Sequence, residues 1–245
     1  MENSKPVLLD NVAHHDLRVI AGHSAALGDA INQVLIFPTE FAEVQREYPI
    51  FFRRNEQGAF QAIALLGFDR DENLFLDDNG WNARYIPAVQ ERGPFLIGFR
   101  EAPDEAGTQQ RTPMILMDPD HARLSKTEGE PLFLQHGGNA PALERHVQVL
   151  RTIHQGIGIN DAVFAAFLDA GILAPVKVDV RVNDALEYNI PDLLSISAEA
   201  LTKLKGPALV KLNEGGYLAL AFYVLASVNN VRRLIELKNR KRQKA

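Results

Sequence analysis

Short apolar blocks recur through the first half of the chain, and their length is typical of β-strands. We expect strands over residues 50–53, 60–68, 95–99 and 114–117, with turn-forming residues between them. Residues 176–182 show the clearest alternation, because valine takes every second position and charged residues lie between the valines. This pattern predicts a strand with one buried face.

A helical period replaces the strand pattern in the second half. We expect one helix that begins at Asn139 and carries apolar residues at three- and four-residue spacing as far as Ile157. A second helix should begin at Asn160 and end at Gly171, since asparagine and glycine favour those two positions. A last helix should cover residues 214–238.

This order of elements predicts an α+β fold. A largely antiparallel or mixed sheet comes from the N-terminal half, and it packs against helices that come mostly from the C-terminal half. We expect a single domain over residues 1–245, with residues 128–139 as the place for a subdomain boundary if there is one. The polar, glycine-containing segment 102–111 should form an exposed loop.

Composition limits the chemistry that this fold can carry. Of the 245 residues, 46% are hydrophobic and 23% are charged, which suffices to bury a core without metals or cross-links. The chain has no cysteine, which excludes disulfides, thiolate zinc sites, iron–sulfur clusters and cysteine nucleophiles. No signal-peptide pattern opens the chain, and its longest apolar stretch, residues 217–228, is shorter than the roughly 20 residues of a membrane-spanning helix. We therefore expect a cytoplasmic protein without a transmembrane segment.

Charge is unevenly distributed along the chain. Residues 232–245 contain seven basic residues and one acidic residue, which leaves 19 basic and 30 acidic residues, a net charge of −11, for the rest. This basic tail suits a solvated helix end, where cations interact favourably with the helix dipole. A contact with an acidic protein, an anionic membrane or nucleic acid is the alternative. Nucleic acid is the least expected of these, because no aromatic residue lies between the basic ones.

One segment resembles the opening of a calcium-binding loop. Asp69, Asp71 and Asn73 have the required spacing. However, Leu74 occupies the position of the usual glycine, and Gly80 occupies that of the bidentate glutamate. An Asx turn between strands explains this segment better, because aspartate and asparagine side chains accept hydrogen bonds from their own backbone.

A second segment contains part of a possible iron site. His14 and Asp16 match the start of a facial triad, with His121 as the one candidate for the third ligand. This pair keeps a metal-dependent oxygenase among the alternatives. The sequence has no P-loop, no dinucleotide-binding glycine pattern and no nucleophile elbow. We expect no bound metal and no cofactor.

Several short blocks, in this order and spacing, resemble the SapC family over nearly the full chain. They are YPIFF at 48–52, LLG at 65–67, NLF at 73–75, GW at 80–81, YIPA at 85–88, RGPF at 92–95 and GYL at 216–218. The resemblance implies an accessory role in bacterial cell-envelope, surface-layer or uptake-related biology. It implies no known reaction and supplies no catalytic residues.

The densest of these blocks also supplies the candidate binding residues. Glycine and proline interrupt residues 81–95, which should form an ordered loop rich in aromatic residues and arginine, the residue types enriched in binding hot spots. The candidates, with two acidic residues just before the loop, are Asp77, Asp78, Trp81, Arg84, Tyr85, Arg92 and Phe95. The alternative is that these rings cover the core of the sheet.

Three hypotheses about function follow. The first is a non-enzymatic accessory or adaptor protein that binds another protein through residues 81–95 or through the last helix, which is also the candidate surface for a homodimer. The second is a small-molecule-binding protein or an enzyme with a pocket beside residues 81–95. The third is the oxygenase. The lack of a complete catalytic motif favours the first.

Overall fold

The computed structural model describes residues 5–103, 109–183 and 186–244. Its strands are β1 (Val7–Leu8), β2 (Arg18–Val19), β3 (Gln33–Ile36), β4 (Ile50–Arg54), β5 (Phe60–Leu65), β6 (Leu76–Asp77), β7 (Gly80–Trp81), β8 (Phe95–Pro103), β9 (Gln109–Met117), β10 (Leu124–Ser125), β11 (Glu130–Pro131), β12 (Leu173–Asn183) and β13 (Leu186–Ile196). Its helices are α1 (Phe41–Val44), α2 (Ala88–Glu91), α3 (Pro141–Asp169), α4 (Ala198–Lys203), α5 (Gly206–Glu214), α6 (Tyr217–Ser227) and α7 (Val231–Lys244). Antiparallel sheets with a helical C-terminal half confirm the predicted α+β fold.

The largest sheet has five antiparallel strands in the order β12-β13-β4-β5-β3. Two of them, β4 and β5, form a hairpin, and the turn-forming residues expected between these strands are Asn55 and Gly58. The Asn55 Oδ1 atom accepts hydrogen bonds from the amides of Gln57 at 3.0 Å and Ala59 at 2.9 Å. Gly58 has a φ of 82°, a conformation that glycine adopts without strain. Local side-chain chemistry therefore sets the register of β4 on β5.

The helix α3 is one continuous helix of 29 residues, so the prediction of two separate helices was wrong. Asn160 does not begin a helix. It lies within α3, and its side-chain Nδ2 atom donates to the carbonyl of Phe60 at 3.3 Å. Gly156 weakens a helix by propensity, but here it permits close packing. A Cβ atom at this position would lie 2.3 Å from the Cβ atom of Phe37. Tertiary packing thus overrides the local signal for a break.

This long helix contributes to two hydrophobic cores. Its first half packs Leu143 and Leu150 into a smaller core with Phe95 and Met117. Its second half packs Phe164 and Phe167 into the main core beneath the five-stranded sheet. The ring centroids of Phe52 and Phe164 lie 5.0 Å apart, in an edge-to-face arrangement that aromatic pairs favour.

The polar segment 102–111 was predicted to be a loop, and this is wrong for the part that the structure describes. Strand β8 continues to Pro103 and β9 begins at Gln109, with Ala102 paired to Gln110. Backbone pairing across the hairpin holds these polar residues in extended form, which side-chain polarity alone does not indicate. The remaining residues of the segment, 104–108, lie outside the described part of the chain.

The last helices form a nearly continuous run, because a 3₁₀ turn over Val228–Asn230 joins α6 to α7. Ser227 attaches this run to the sheet: its hydroxyl donates to the Val224 carbonyl at 2.6 Å and accepts from the Ile50 amide at 2.9 Å.

By length and composition alone, the run from Tyr217 to Gln243 is apolar enough to cross a membrane, and 22% of its most apolar stretch is buried. The inward side of α6 packs on β4 and α1.

Candidate functional sites

Residues 81–95 turn much of their aromatic surface toward the protein interior. The indole nitrogen of Trp81 donates to the Tyr48 hydroxyl at 2.8 Å, and this hydroxyl donates to the Tyr85 carbonyl at 2.6 Å. Tyr48 is fully buried, and burial raises the pKa of its hydroxyl above the ordinary value. Trp81 is half-buried as a result, and its indole edge is committed to an intramolecular contact.

A buried carboxylate, Glu40, holds the middle of the same segment. Its Oε2 atom accepts from the Tyr85 hydroxyl at 2.8 Å and the Ala88 amide at 2.9 Å, and its Oε1 atom accepts from the Phe37 amide at 2.9 Å. Burial raises the pKa of Glu40 even though these donors stabilise its ionised form. No sequence pattern singles out Glu40, which connects the start of α2 to the turn before α1.

Phe95 is also an interior residue. Its side chain is fully buried in the smaller core, where its ring centroid lies 4.8 Å from that of His146. Burial lowers the pKa of His146, and its Nδ1 atom is buried without a hydrogen-bond partner among the described residues. Phe95 thus stabilises the base of the segment and has no exposed surface for a partner.

The acidic candidates and Arg84 lie at the surface. The carboxylate of Asp77 accepts from the Asn79 amide at 2.8 Å, which forms the Asx turn expected between strands. With Asp78 it lines a hollow of about 390 Å³ whose other side contains Arg240 and Lys241 of α7. Arg84 is exposed and is held through its backbone amide, which donates to Glu47 at 2.7 Å. The predicted residues therefore do not form one site.

The basic tail is only partly solvated. Lys238 is 6% exposed and lies 2.8 Å from a carboxylate oxygen of Glu72, which is also buried. Burial opposes the charge of Lys238, but Asp69 and Glu72 outweigh it and raise its pKa. Arg233 pairs with Glu47 at 3.2 Å. One side of α7 thus binds the acidic body of the same chain, and the other side is exposed.

A second buried charge network lies beneath α2. The Nη2 atom of Arg123 donates to both carboxylate oxygens of Asp29, at 2.9 and 2.7 Å, and Asp29 is fully buried. Burial disfavours the Asp29 carboxylate, but hydrogen bonds from His23 and Gln90 and the charge of Arg123 lower its pKa. The Nε2 atom of His23 lies 3.1 Å from Glu91. Burial disfavours protonation of His23, yet the hydrogen bonds to Asp29 and Glu91 raise its pKa.

Above this network lies an open hollow of about 460 Å³, which we call the polar hollow. Its polar lining comes from Gln90, Arg92, Asp118, His121 and Arg123. Burial lowers the pKa of Arg92, whose Nη1 atom donates to the Phe95 carbonyl at 3.0 Å. Of the seven predicted binding residues, Arg92 alone lines this hollow. The hollow lies beside residues 81–95, but Trp81 is not part of its wall.

The predicted iron ligands do not assemble. Asp16 pairs with Lys126 at 3.0 Å, and His14 contacts the backbone of Asp10. His121 lines the polar hollow instead. Among the residues that the structure describes, no group of three or more metal-ligating side chains could hold an ion. The oxygenase hypothesis therefore receives no support.

The outward side of α6 is the least polar helical surface of the described residues. The helix has no charged residue, and its exposed positions are Ala219, Phe222 and Ala226, which we call the α6 stripe. The side chain of Phe222 is 53% exposed. A surface helix ordinarily has a polar outward side. Exposed positions continue at three- and four-residue spacing into α7 as Arg232, Glu236 and Arg240, which give the stripe a charged end with a net positive charge.

Comparison with known proteins gives a family match and nothing finer. The model of the family described as SapC matches residues 9–234, which is most of the chain. No curated protein and no solved structure matches it.

Proposed function

The chain belongs to the SapC family, and we propose that it is a non-enzymatic accessory or adaptor protein that binds another protein. The setting we propose is the cytoplasmic side of bacterial cell-envelope, surface-layer or uptake-related biology. The observation that carries the binding function is the α6 stripe, where Phe222 is 53% exposed on a helix without a charged side chain. Removing such a ring from water is a common source of binding energy at interfaces.

Charge selects the partner that we propose for this stripe. Exposed Arg232 and Arg240, with the exposed Glu236 between them, continue the stripe along α7. A protein with an apolar groove and an acidic rim would cover Phe222 and pair with these cations. Two parallel copies of the stripe would bring the basic ends together, which disfavours a parallel homodimer. A homodimer of another geometry and an anionic membrane are competing outcomes.

Photo-crosslinking distinguishes these occupants. A crosslinking amino acid placed at position 222 in the native host should join the chain to one protein, and that protein, once purified, should bind the chain directly with an affinity that falls as salt rises. The same label at Leu134 is a matched control, because that side chain is 52% exposed and lies on a turn outside α6. Crosslinks only to a second copy or to lipid, or equal products from both positions, would contradict the proposal.

A second candidate function is a small-molecule-binding protein or an enzyme with a pocket beside residues 81–95. The polar hollow favours it, because several polar side chains converge on a concave surface there. Arg92 is the residue on which this candidate depends. A ligand that contacts the hollow should shift the backbone amide signals of Gly93 and His121 in a nuclear magnetic resonance titration. An unchanged spectrum with every small molecule tested would count against it.

A further inference from the structure

The polar hollow adjoins a second hollow of different character. The second one has a volume of about 270 Å³, and we call it the apolar hollow. The two share Val89, Arg92 and Leu96 in their walls. The rest of the apolar hollow consists of Leu35, Phe37, Ile97, Leu150, Ile153, His154 and Ile157. Arg92 therefore lies at the junction between a polar and an apolar recess.

The guanidinium of Arg92 makes no ion pair with a described residue, and Asp118 contributes the carboxylate in the wall of the same hollow. It is half-buried and donates to the Phe95 carbonyl, but it forms no ion pair there. Arg123, close by, has Asp29 as a bidentate partner. A partly buried cation without an anion is unfavourable, so a bound anion would stabilise Arg92.

His121 adds a second donor to the same wall. Its Nδ1 atom accepts a hydrogen bond from the Arg123 amide at 3.1 Å. In the neutral ring the proton must then be on Nε2. Burial, reinforced by the charge of Arg123, lowers the pKa of His121, so the ring is neutral at pH 7. A neutral donor beside a cation suits a small anionic group.

Other residues narrow the class of ligand. Asp118 also lines the polar hollow, so Arg92, His121 and Arg123 are the residues of its wall that favour an anionic head group. In the apolar hollow Ile157 is 55% exposed, a large value for an isoleucine among apolar neighbours. An apolar chain in this recess would remove that side chain from water.

We propose that these adjoining hollows bind an anionic amphiphile, with its carboxylate or phosphate head beside Arg92 and its apolar chain along Val89, Leu96 and Ile157. This inference rests on the second candidate function and is independent of the α6 stripe. It assigns recognition and no chemical step.

Calorimetric titration of the full chain with four probes tests the inference. Octanoate and octyl phosphate carry both a charge and a chain, 1-octanol lacks the charge, and inorganic phosphate lacks the chain. We expect one of the charged amphiphiles to bind at least about tenfold more tightly than 1-octanol, as a hydrogen-bonded charge pair provides. Whichever of the two binds more tightly identifies the head group. Inorganic phosphate should bind more weakly than either.

Substitutions in the two hollows separate the contribution of the ligand's charged head from that of its apolar tail. Arg92→Gln should remove the advantage of the charged amphiphiles over 1-octanol, and Arg92→Lys should keep part of it. Arg84→Gln is the matched control, since Arg84 is an exposed arginine of the same segment and should leave all four affinities unchanged. Ile157→Ser should weaken the amphiphiles and spare inorganic phosphate. Circular dichroism should show each variant folded, and Arg92→Lys replaces Arg92→Gln if the latter does not fold.

Two results would overturn the inference in distinguishable ways. If none of the four probes binds, the second candidate function fails together with the inference. If 1-octanol or inorganic phosphate binds as tightly as the charged amphiphiles, or Arg92→Gln and Arg92→Lys both retain the full preference, a small-molecule site remains and only the proposed ligand class is wrong.

Discussion

The region around α2 and the outward side of α6 differ in how they use charge. Beneath α2, Asp29 and Arg123 are buried and paired, and the surface above them is concave. On α6 there is no charge at all, and the exposed ring of Phe222 lies on a convex helix. Buried ion pairs fix conformation but contribute little net stability. An exposed apolar side chain can contribute binding free energy when a partner removes it from water. We therefore propose that structural integrity depends on the first region and partner binding on the second.

The largest effect should follow from removing one member of the buried pair. Asp29→Ala would leave the Arg123 guanidinium buried without its carboxylate, so we expect a loss of about 3–5 kcal/mol in the free energy of unfolding, measured by urea denaturation. Asp16→Ala is the control, because its ion pair with Lys126 is exposed and should contribute little to stability. Equal losses in the two variants would show that the network beneath α2 is not what stabilises this region.

A smaller loss should follow from deleting the hydroxyl that holds residues 81–95 inward. Tyr48→Phe would leave the Trp81 indole nitrogen and the Tyr85 carbonyl without their partner, at a cost of about 1–3 kcal/mol in thermal or urea unfolding. Tyr217→Phe is the control, since no hydrogen bond joins that hydroxyl to the described residues. A loss no larger than that of the control would mean that the segment is held by apolar packing alone.

Local and long-range hydrogen bonds differ in how far they could be predicted from the sequence. The turn at Asn55 and Gly58 was predictable because all its hydrogen bonds are local. The inward direction of Trp81 was not, because its partner Tyr48 is 33 positions away. The same limit hid the network beneath α2, in which Asp29 and Arg123 are 94 positions apart.

The second half of the chain shows a different limit. Gly156 and Asn160 favour a break between helices, but α3 continues through both residues, and Gly156 accommodates the close approach of Phe37. The apolar character of the last helix was readable from residues 217–228, and a homodimer through it stays a prediction. Which of its side chains face outward depends on how Ser227 attaches α6 to β4.

The smallest expected effect on stability is a pH dependence that comes from His23. Its pKa is raised in the folded protein, so the folded state binds the proton more tightly than the unfolded state, whose histidine has the ordinary value of 6.5. The contribution is complete below pH 6.5 and is lost as the pH rises through the folded pKa. Across that interval His23→Gln should flatten the fall in melting temperature, and the exposed His136→Gln should leave it unchanged. A slope that is identical in wild type and His23→Gln would place the dependence elsewhere.

The central claim is tested most directly by measuring how tightly the Phe222→Ser variant binds the partner protein that crosslinking identifies. For Phe222→Ser we predict a loss of about 2 kcal/mol in binding free energy, which raises the Kd roughly thirtyfold. Leu134→Ser should bind with the affinity of the wild type. The free energy of unfolding of both variants should lie within about 0.5 kcal/mol of the wild-type value. A Phe222→Ser variant that is equally stable and binds its partner with unchanged affinity would contradict the claim that the α6 stripe is the partner-binding surface.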